Sequence, residues 1–148
     1  MSFKLLIING PNLNLLGTRQ PKVYGRTTLA EIDAACQTKA DALGGSADCI
    51  QSNHEGALID AIHGAVGVYD GLIINAGAFT HTSIALMDAL KSVALPTVEL
   101  HLSNIHQREE FRQTSYISKA AFAQISGFGA AGYPLAIDAL VTHLKAPG

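Results

Sequence analysis

Glu99 and His101 stand two residues apart in "VELHLSN" (98–104). In an extended segment such a pair faces the same side. A carboxylate beside an imidazole orients the ring and favours its protonated form. At the end of a strand the two together make a general acid. The same residues also make a buried, satisfied pair with no chemistry, and position alone does not separate these readings. A metal reading would join His81 and His106 to Glu99 and His101, but no spacing among them matches a zinc motif.

A second candidate is the stretch "NGPNLNLLGTRQPKVYG" (9–25), which follows the apolar run Leu5–Ile8 directly. It holds three glycines, two prolines and three asparagines, together with Arg19 and Tyr24. It exceeds the roughly two to six residues of an ordinary strand-to-helix connection. Loops of this length in compact domains often close over ligands.

Three further segments carry polar groups. "NAGAFTHTS" (75–83) starts at a strand-end asparagine and leads into a helix, whose first N–H groups suit an anion. Thr80, Thr82 or Ser83 would also cap that helix. "HQREEFRQ" (106–113) spaces Arg108 and Arg112 four apart, on one face if helical. Taken alone, Arg108 reads as part of a solvated face with Glu109. Asp88 lies in the otherwise apolar "ALMDALKS", as a cap, a surface charge or an interface residue. "GFGAAG" (127–132) matches the spacing of a dinucleotide loop. The further strand and acidic residue that a nucleotide needs have no room before residue 148, so its glycines read as packing.

The elements that must position these residues alternate along the chain. "KLLIIN" (4–9), "ADCIQS" (47–52), "GLIIN" (71–75), "TVELHL" (97–102) and "AQIS" (123–126) read as strands, several apolar on both faces. Between them lie helical patterns: "TLAEIDAACQTKADAL", "SNHEGALIDAIHGAV", "SIALMDALKSV" and "YPLAIDALVTHL". Thr28 with Glu31 predicts a capping box, and Ser52 with Glu55 predicts another. The alternation implies right-handed βαβ units and one α/β domain over residues 1–148. The expected fold is a flavodoxin-like, doubly wound sandwich on a five-stranded parallel sheet. Ligands in such folds bind beyond the carboxyl ends of the strands, where residues 10–25, 52–56, 75–83 and 101–116 fall.

Composition narrows the classes. Charged residues make up only 15% of the 148, below the usual value of about 25%. Interfaces between copies would hide part of the apolar excess. Net charge is −2 and no basic stripe is present, which argues against nucleic acid. The apolar runs are too short to span a membrane or form a signal core, so the cytoplasm is the expected compartment. Cys36 and Cys49 form no CxxC pair and read as reduced, partly buried thiols.

"NGPNLNLLGTRQPKVYG", "QSNHEG", "NAGAFTHTS" and "ELHLSNIHQREEFRQTSYIS" resemble, in order and spacing, the motifs of the type II 3-dehydroquinases. The resemblance runs essentially end to end. It implies a cofactor-free and metal-free anti elimination of water from 3-dehydroquinate, through an enolate, to 3-dehydroshikimate. By this resemblance Tyr24 is the base for the C2 proton, and Arg19 on the same lid loop (about 10–27) favours the tyrosinate. Asn12 helps hold the water that stabilises the enolate. His101, supported by Glu99, protonates the departing C1 hydroxyl. Asn75, His81 and Arg112 bind substrate oxygens, and the backbone at Leu102 and Ser103 receives the carboxylate. Asp88 contacts the site of an adjacent subunit, and Arg108 aids the electrostatics near Tyr24. The resemblance also implies trimers grouped into a dodecamer.

This chain departs from the family pattern at Gln20 (Glu is usual), Ala76 (Pro), Leu102 (Ile) and Thr114 (His). Gln20 removes a negative charge beside Arg19. None of the four is the expected base or acid. The base itself raises an energetic question, because a tyrosine's reference pKa is about 10. Lowering it by about 3 units requires roughly 4 kcal/mol of preference for the anion. One cation at about 4 Å supplies a term of that order at an effective dielectric of about 20.

Three rival functions are weighed against this. A non-catalytic flavin or phosphate binder of the same fold explains neither the Arg19/Tyr24 pairing nor the Glu99/His101 pairing. A metal-assisted lyase would centre on His81 and His101. A Schiff-base route needs a buried lysine, and most of Lys4, Lys22, Lys39, Lys91, Lys119 and Lys145 fall at element ends or helix surfaces.

Overall fold

The computed structural model describes residues 2–18, 22 and 25–147. Five strands form one parallel sheet: β1 (Lys4–Asn9), β2 (Ser46–Gln51), β3 (Gly71–Asn75), β4 (Thr97–His101) and β5 (Ala123–Ser126). Their order is β2-β1-β3-β4-β5, the doubly wound arrangement expected. The longer helices are α1 (Leu29–Ala42), α2 (Glu55–Gly64), α3 (Ile84–Val93) and α4 (Gly132–Lys145). No helix among the described residues is long and apolar enough to cross a membrane.

Alternation along the strands divides the core in two. Leu5, Ile7, Ile73, Val98 and Leu100 point to one face and pack with Ile32, Cys36, Ile137 and Leu140 of α1 and α4. Leu6, Ile8, Leu72 and Ile74 point to the other and meet Leu58, Ile62, Leu86 and Leu90 of α2 and α3. Because both faces are covered, the strands carry unbroken apolar runs rather than an alternating pattern. Val98 and Leu100 face the first core, so Glu99 and His101 face the second side. There both are buried.

The sheet order reverses between β1 and β3, whose last residues Asn9 and Asn75 are register partners. This is the topological switch point, where the strand ends diverge and leave a crevice. The backbones approach closely at that point. A Cβ on Gly10 would lie 2.5 Å from the Ala76 carbonyl oxygen, so only glycine fits. Gly132 is similarly confined: its Cβ would meet Leu100 Cδ1 at 2.9 Å, which makes this glycine of "GFGAAG" a packing residue.

α1 starts with the expected capping box between Thr28 and Glu31. The second expected box does not form. Ser52 N–H bonds to the Asn9 carbonyl and prolongs the β2 edge, so the helix cannot begin there. α2 starts at Glu55 behind His54, which gives no side-chain cap. Ser52 Oγ accepts from His54 N–H instead. The Glu55 carboxylate accepts from Ser83 Oγ at 2.5 Å, tying α2 to the cap of α3. β2 also begins and ends one residue earlier than expected, because Ser46 already pairs with Lys4.

Candidate active site

A cleft lies beyond the carboxyl ends of β1, β3 and β4. It spans about 540 Å³ of space outside the protein atoms, part of it open to solvent. Pro11, Asn12 and Leu13 form one wall, Asn75, Gly77, Ala78 and His81 the second, and His101, Leu102, Ser103 and Ile105 the third. Arg108 and Arg112 complete it. No lysine lines it among the described residues. Arg19, Gln20 and Tyr24 lie outside the described residues. The three walls are built by the strand ends and the segments that leave them.

The wall from β1 is anchored. Leu13 and Leu16 are buried in the first core, and Leu13–Leu15 make a single 3-10 turn. Asn12 takes a left-handed backbone, φ 70°, a conformation that asparagine tolerates better than most residues. Its N–H donates to Asn53 Oδ1 at 3.0 Å. Gln51 Nε2 also donates to Asn53 Oδ1 (3.2 Å) and to the Gly10 carbonyl (3.1 Å). Asn53 was not singled out from the sequence, although its segment "QSNHEG" follows a strand as the site segments do.

The wall from β3 turns on Asn75, which is buried with its amide held at both ends. Oδ1 accepts from Gly77 N–H at 3.2 Å, and Nδ2 donates to the Tyr133 hydroxyl at 3.3 Å. The chain then makes the 3-10 turn Gly77–His81 before α3, which Ser83 caps through Leu86 N–H. His81 Nδ1 donates to the Thr114 carbonyl at 2.8 Å, which leaves Nε2 as its free ring nitrogen. Burial holds the His81 pKa below its ordinary value, and His101 and Arg112 add to that effect against the Thr114 carbonyl and Glu99. At neutral pH His81 is therefore the neutral imidazole. Since Thr114 contributes its backbone, the side-chain departure there leaves this contact intact.

The wall from β4 carries the Glu99–His101 pair. His101 Nε2 lies 2.5 Å from Glu99 Oε2, and both side chains are almost wholly buried. Two serines complete the carboxylate's shell: Ser115 Oγ donates to Oε2 at 2.6 Å, and Ser118 Oγ donates to Oε1. Burial pushes the Glu99 carboxyl up, but the hydrogen bonds from His101, Ser115 and Ser118 outweigh it and leave the pKa below the usual value. Glu99 is thus a carboxylate despite its depth, with Nε2–H of His101 aimed at it. That assigns Nδ1 of His101 to the cleft side of the ring. His81 stacks near it, ring centroids 6.4 Å apart and 19° from parallel.

Residues 106–113 do not form the helix that would have put Arg108 and Arg112 on one face. They make two 3-10 turns, Ile105–Gln107 and Glu110–Arg112. Both arginines reach the cleft all the same. Arg112 Nε donates to both Glu109 oxygens, at 3.1 and 3.2 Å, and Arg108 Nε lies 3.7 Å from the same carboxylate. Arg108 is not the solvated side chain expected, for it is only 18% exposed. Its Nη1 donates to Ser103 Oγ at 3.5 Å. Asp88 is exposed on α3 and does not line the cleft of its own chain. The cleft thus presents two guanidinium groups, a histidine hydrogen-bonded to a buried carboxylate, and oriented amides, a set suited to a small anion rich in oxygen.

Comparison with known proteins bears on the family and the fold. Residues 3–141 match the family model "Dehydroquinase class II". A 3-dehydroquinate dehydratase from Ruegeria pomeroyi is 61% identical over 144 residues, 97% of each chain. Another from Dinoroseobacter shibae is 64% identical over 142 residues, 96% of this chain and 95% of the other. Among solved structures, the type II dehydroquinase from Butyrivibrio crossotus superposes with a TM-score of 0.92 at 43% identity, covering 95% of this chain and 98% of that one.

Proposed function

The chain belongs to the class II dehydroquinase family, and on that premise we propose how its cleft performs the reaction. Its activity is that of a 3-dehydroquinate dehydratase, a hydro-lyase. The observation that carries the mechanism is the buried Glu99–His101 pair, which opens into the same cleft as Asn12, Asn75 and two arginines.

In the proposed sequence Tyr24, as tyrosinate, takes the C2 proton, and the electron pair moves to the C3 carbonyl oxygen as an enolate. Arg19 favours the tyrosinate, and Asn12 holds the water that stabilises the enolate. The enolate then expels the C1 hydroxyl on the opposite face, and a C1–C2 double bond forms. His101 protonates that oxygen as it leaves, so that water departs. As an imidazolium, His101 keeps one proton on Nε2 against Glu99 and gives the other from Nδ1. It ends neutral, still held by the carboxylate. Asn75, His81 and Arg112 bind substrate oxygens, and the backbone of Leu102 and Ser103 takes the carboxylate beside Arg108. No metal or cofactor enters these steps. The lid loop is read as about residues 10–27, of which Leu13 and Leu16 are anchored in the first core.

The test is the ultraviolet absorbance of the conjugated enone acid formed from 3-dehydroquinate. Purified protein should form it with nothing added, and at the same rate after a chelator. Borohydride with substrate should leave the enzyme active, because no lysine Schiff base forms. A rate abolished by chelator and restored by zinc would overturn the metal-free mechanism.

The same reading makes the working enzyme a homo-oligomer, a dodecamer built from trimers, located in the cytoplasm. Asp88 would then act on a neighbouring copy's site. The low charge content supports this, as do exposed Phe111, Phe128, Val66 and Ile84, each more than half exposed in the single chain. Light scattering on the native protein should give a mass far above a dimer. A monomer at working concentration would remove Asp88 from the site.

A further inference from the structure

Tyr133 lies beneath the cleft and outside its lining, at the start of α4. Its side chain is fully buried in the first core, and its hydroxyl reaches the switch point on that same face of the sheet, to which Asn9 and Asn75 point as Ile7 and Ile73 do. There it donates to Asn9 Oδ1 at 2.6 Å and accepts from Asn75 Nδ2 at 3.3 Å. Asn9 and Asn75 end adjacent strands, and both are buried. We propose that Tyr133 is a positioning residue for substrate binding, whose hydroxyl holds the Asn75 amide in the orientation in which it faces the cleft. The proposal rests on the reading of Asn75 as a substrate contact.

The hydrogen-bond inventory supports one sense only. A phenol has one proton, and here it is used on Asn9. Its lone pair therefore requires a donor from Asn75, which is Nδ2. At the other end Gly77 N–H requires an acceptor, which is Oδ1. Turning both asparagine amides and the hydroxyl together would satisfy Tyr133 equally well. It would also set Nδ2 of Asn75 against Gly77 N–H, donor against donor. The Gly77 contact thus selects the orientation, and the Tyr133 hydroxyl, bonded to Asn9, holds the Nδ2 end of the amide in it. They leave one N–H and one oxygen lone pair of Asn75 for ligand. Burial drives the ionisation of Tyr133 well above its usual range, against the Asn75 hydrogen bond, so the hydroxyl keeps the proton that sets this direction.

A double-mutant cycle with Tyr133→Phe and Asn75→Ala tests the link. Tyr133→Phe keeps the ring that packs the core and removes the hydroxyl. It should raise KM about fivefold, the loss of one neutral hydrogen bond, with a smaller change in kcat. Added to Asn75→Ala, it should leave KM where Asn75→Ala put it. A structural role alone would lower the melting temperature in both backgrounds and change KM by the same factor in each, and that result overturns the proposal. An unmoved KM in Tyr133→Phe also overturns it. Asn75→Ala alone distinguishes the two levels. If its KM is normal, the substrate-contact reading fails and this proposal with it. If its KM rises but no coupling is seen, only the role of Tyr133 fails. Should Tyr133→Phe not fold, Asn9→Ala cuts the same chain without touching the ring. A KM rise that vanishes in the Asn75→Ala background supports the link, and an unchanged KM overturns it.

Discussion

Tyr24→Phe should lower kcat by at least about 100-fold, the scale of a lost general base, while folding is little changed. The substitution keeps the ring and removes only the ionisable oxygen. A loss confined to kcat identifies a group that acts in the transition state, whereas a rise in KM at constant kcat identifies uniform binding. Arg19→Ala should lower kcat as well. Without that cation the tyrosine ionises at higher pH, so the limb on which activity increases with pH should move upward. Steady-state rates across pH for the two variants check both statements. A near-normal kcat in Tyr24→Phe would return the tyrosine to a packing role.

His101→Ala should produce a fall of similar size, at least about 100-fold in kcat, because the hydroxyl must then leave without its acid. The cause is local. Glu99 is buried and holds its charge through His101, Ser115 and Ser118. Removing the imidazole leaves that carboxylate with its two serine donors. It also leaves a cavity at the end of β4, so stability should fall too. Circular dichroism and a denaturant midpoint separate the two effects: kcat should remain low under conditions where the variant is fully folded. A folded His101→Ala enzyme with a normal rate would make Glu99–His101 a structural pair only.

How far the sequence anticipates this site depends on whether the information is local. The pairing of Glu99 with His101 is legible because a strand's period of two places them together whatever surrounds it. The five strands are legible for the same reason, since apolar runs between glycines leave few alternatives. Ser52 and Glu55 mislead because a capping box is a spacing, and the spacing cannot show that Ser52 is held by the backbone of Asn9. Arg108 and Arg112 reach the cleft through two short turns that no helical periodicity describes. Long-range partners leave no local trace. Tyr133 bonds to Asn9 across 124 positions, and Asn53 holds Asn12 across 41. Serines 115 and 118 are ordinary in sequence, and only the fold brings them to Glu99.

The division of labour between a base from the loop after β1 and an acid at the end of β4 is tested most directly by exchange of the substrate's C2 proton. Proton magnetic resonance of 3-dehydroquinate in deuterated buffer follows it, with wild-type, His101→Ala and Tyr24→Phe enzymes measured side by side. The mechanism predicts that His101→Ala, though nearly inactive in dehydration, still exchanges the C2 proton at a rate comparable to wild type. Tyr24→Phe should lose exchange and dehydration together. Exchange abolished in His101→Ala but retained in Tyr24→Phe would contradict the assignment and exchange the two roles.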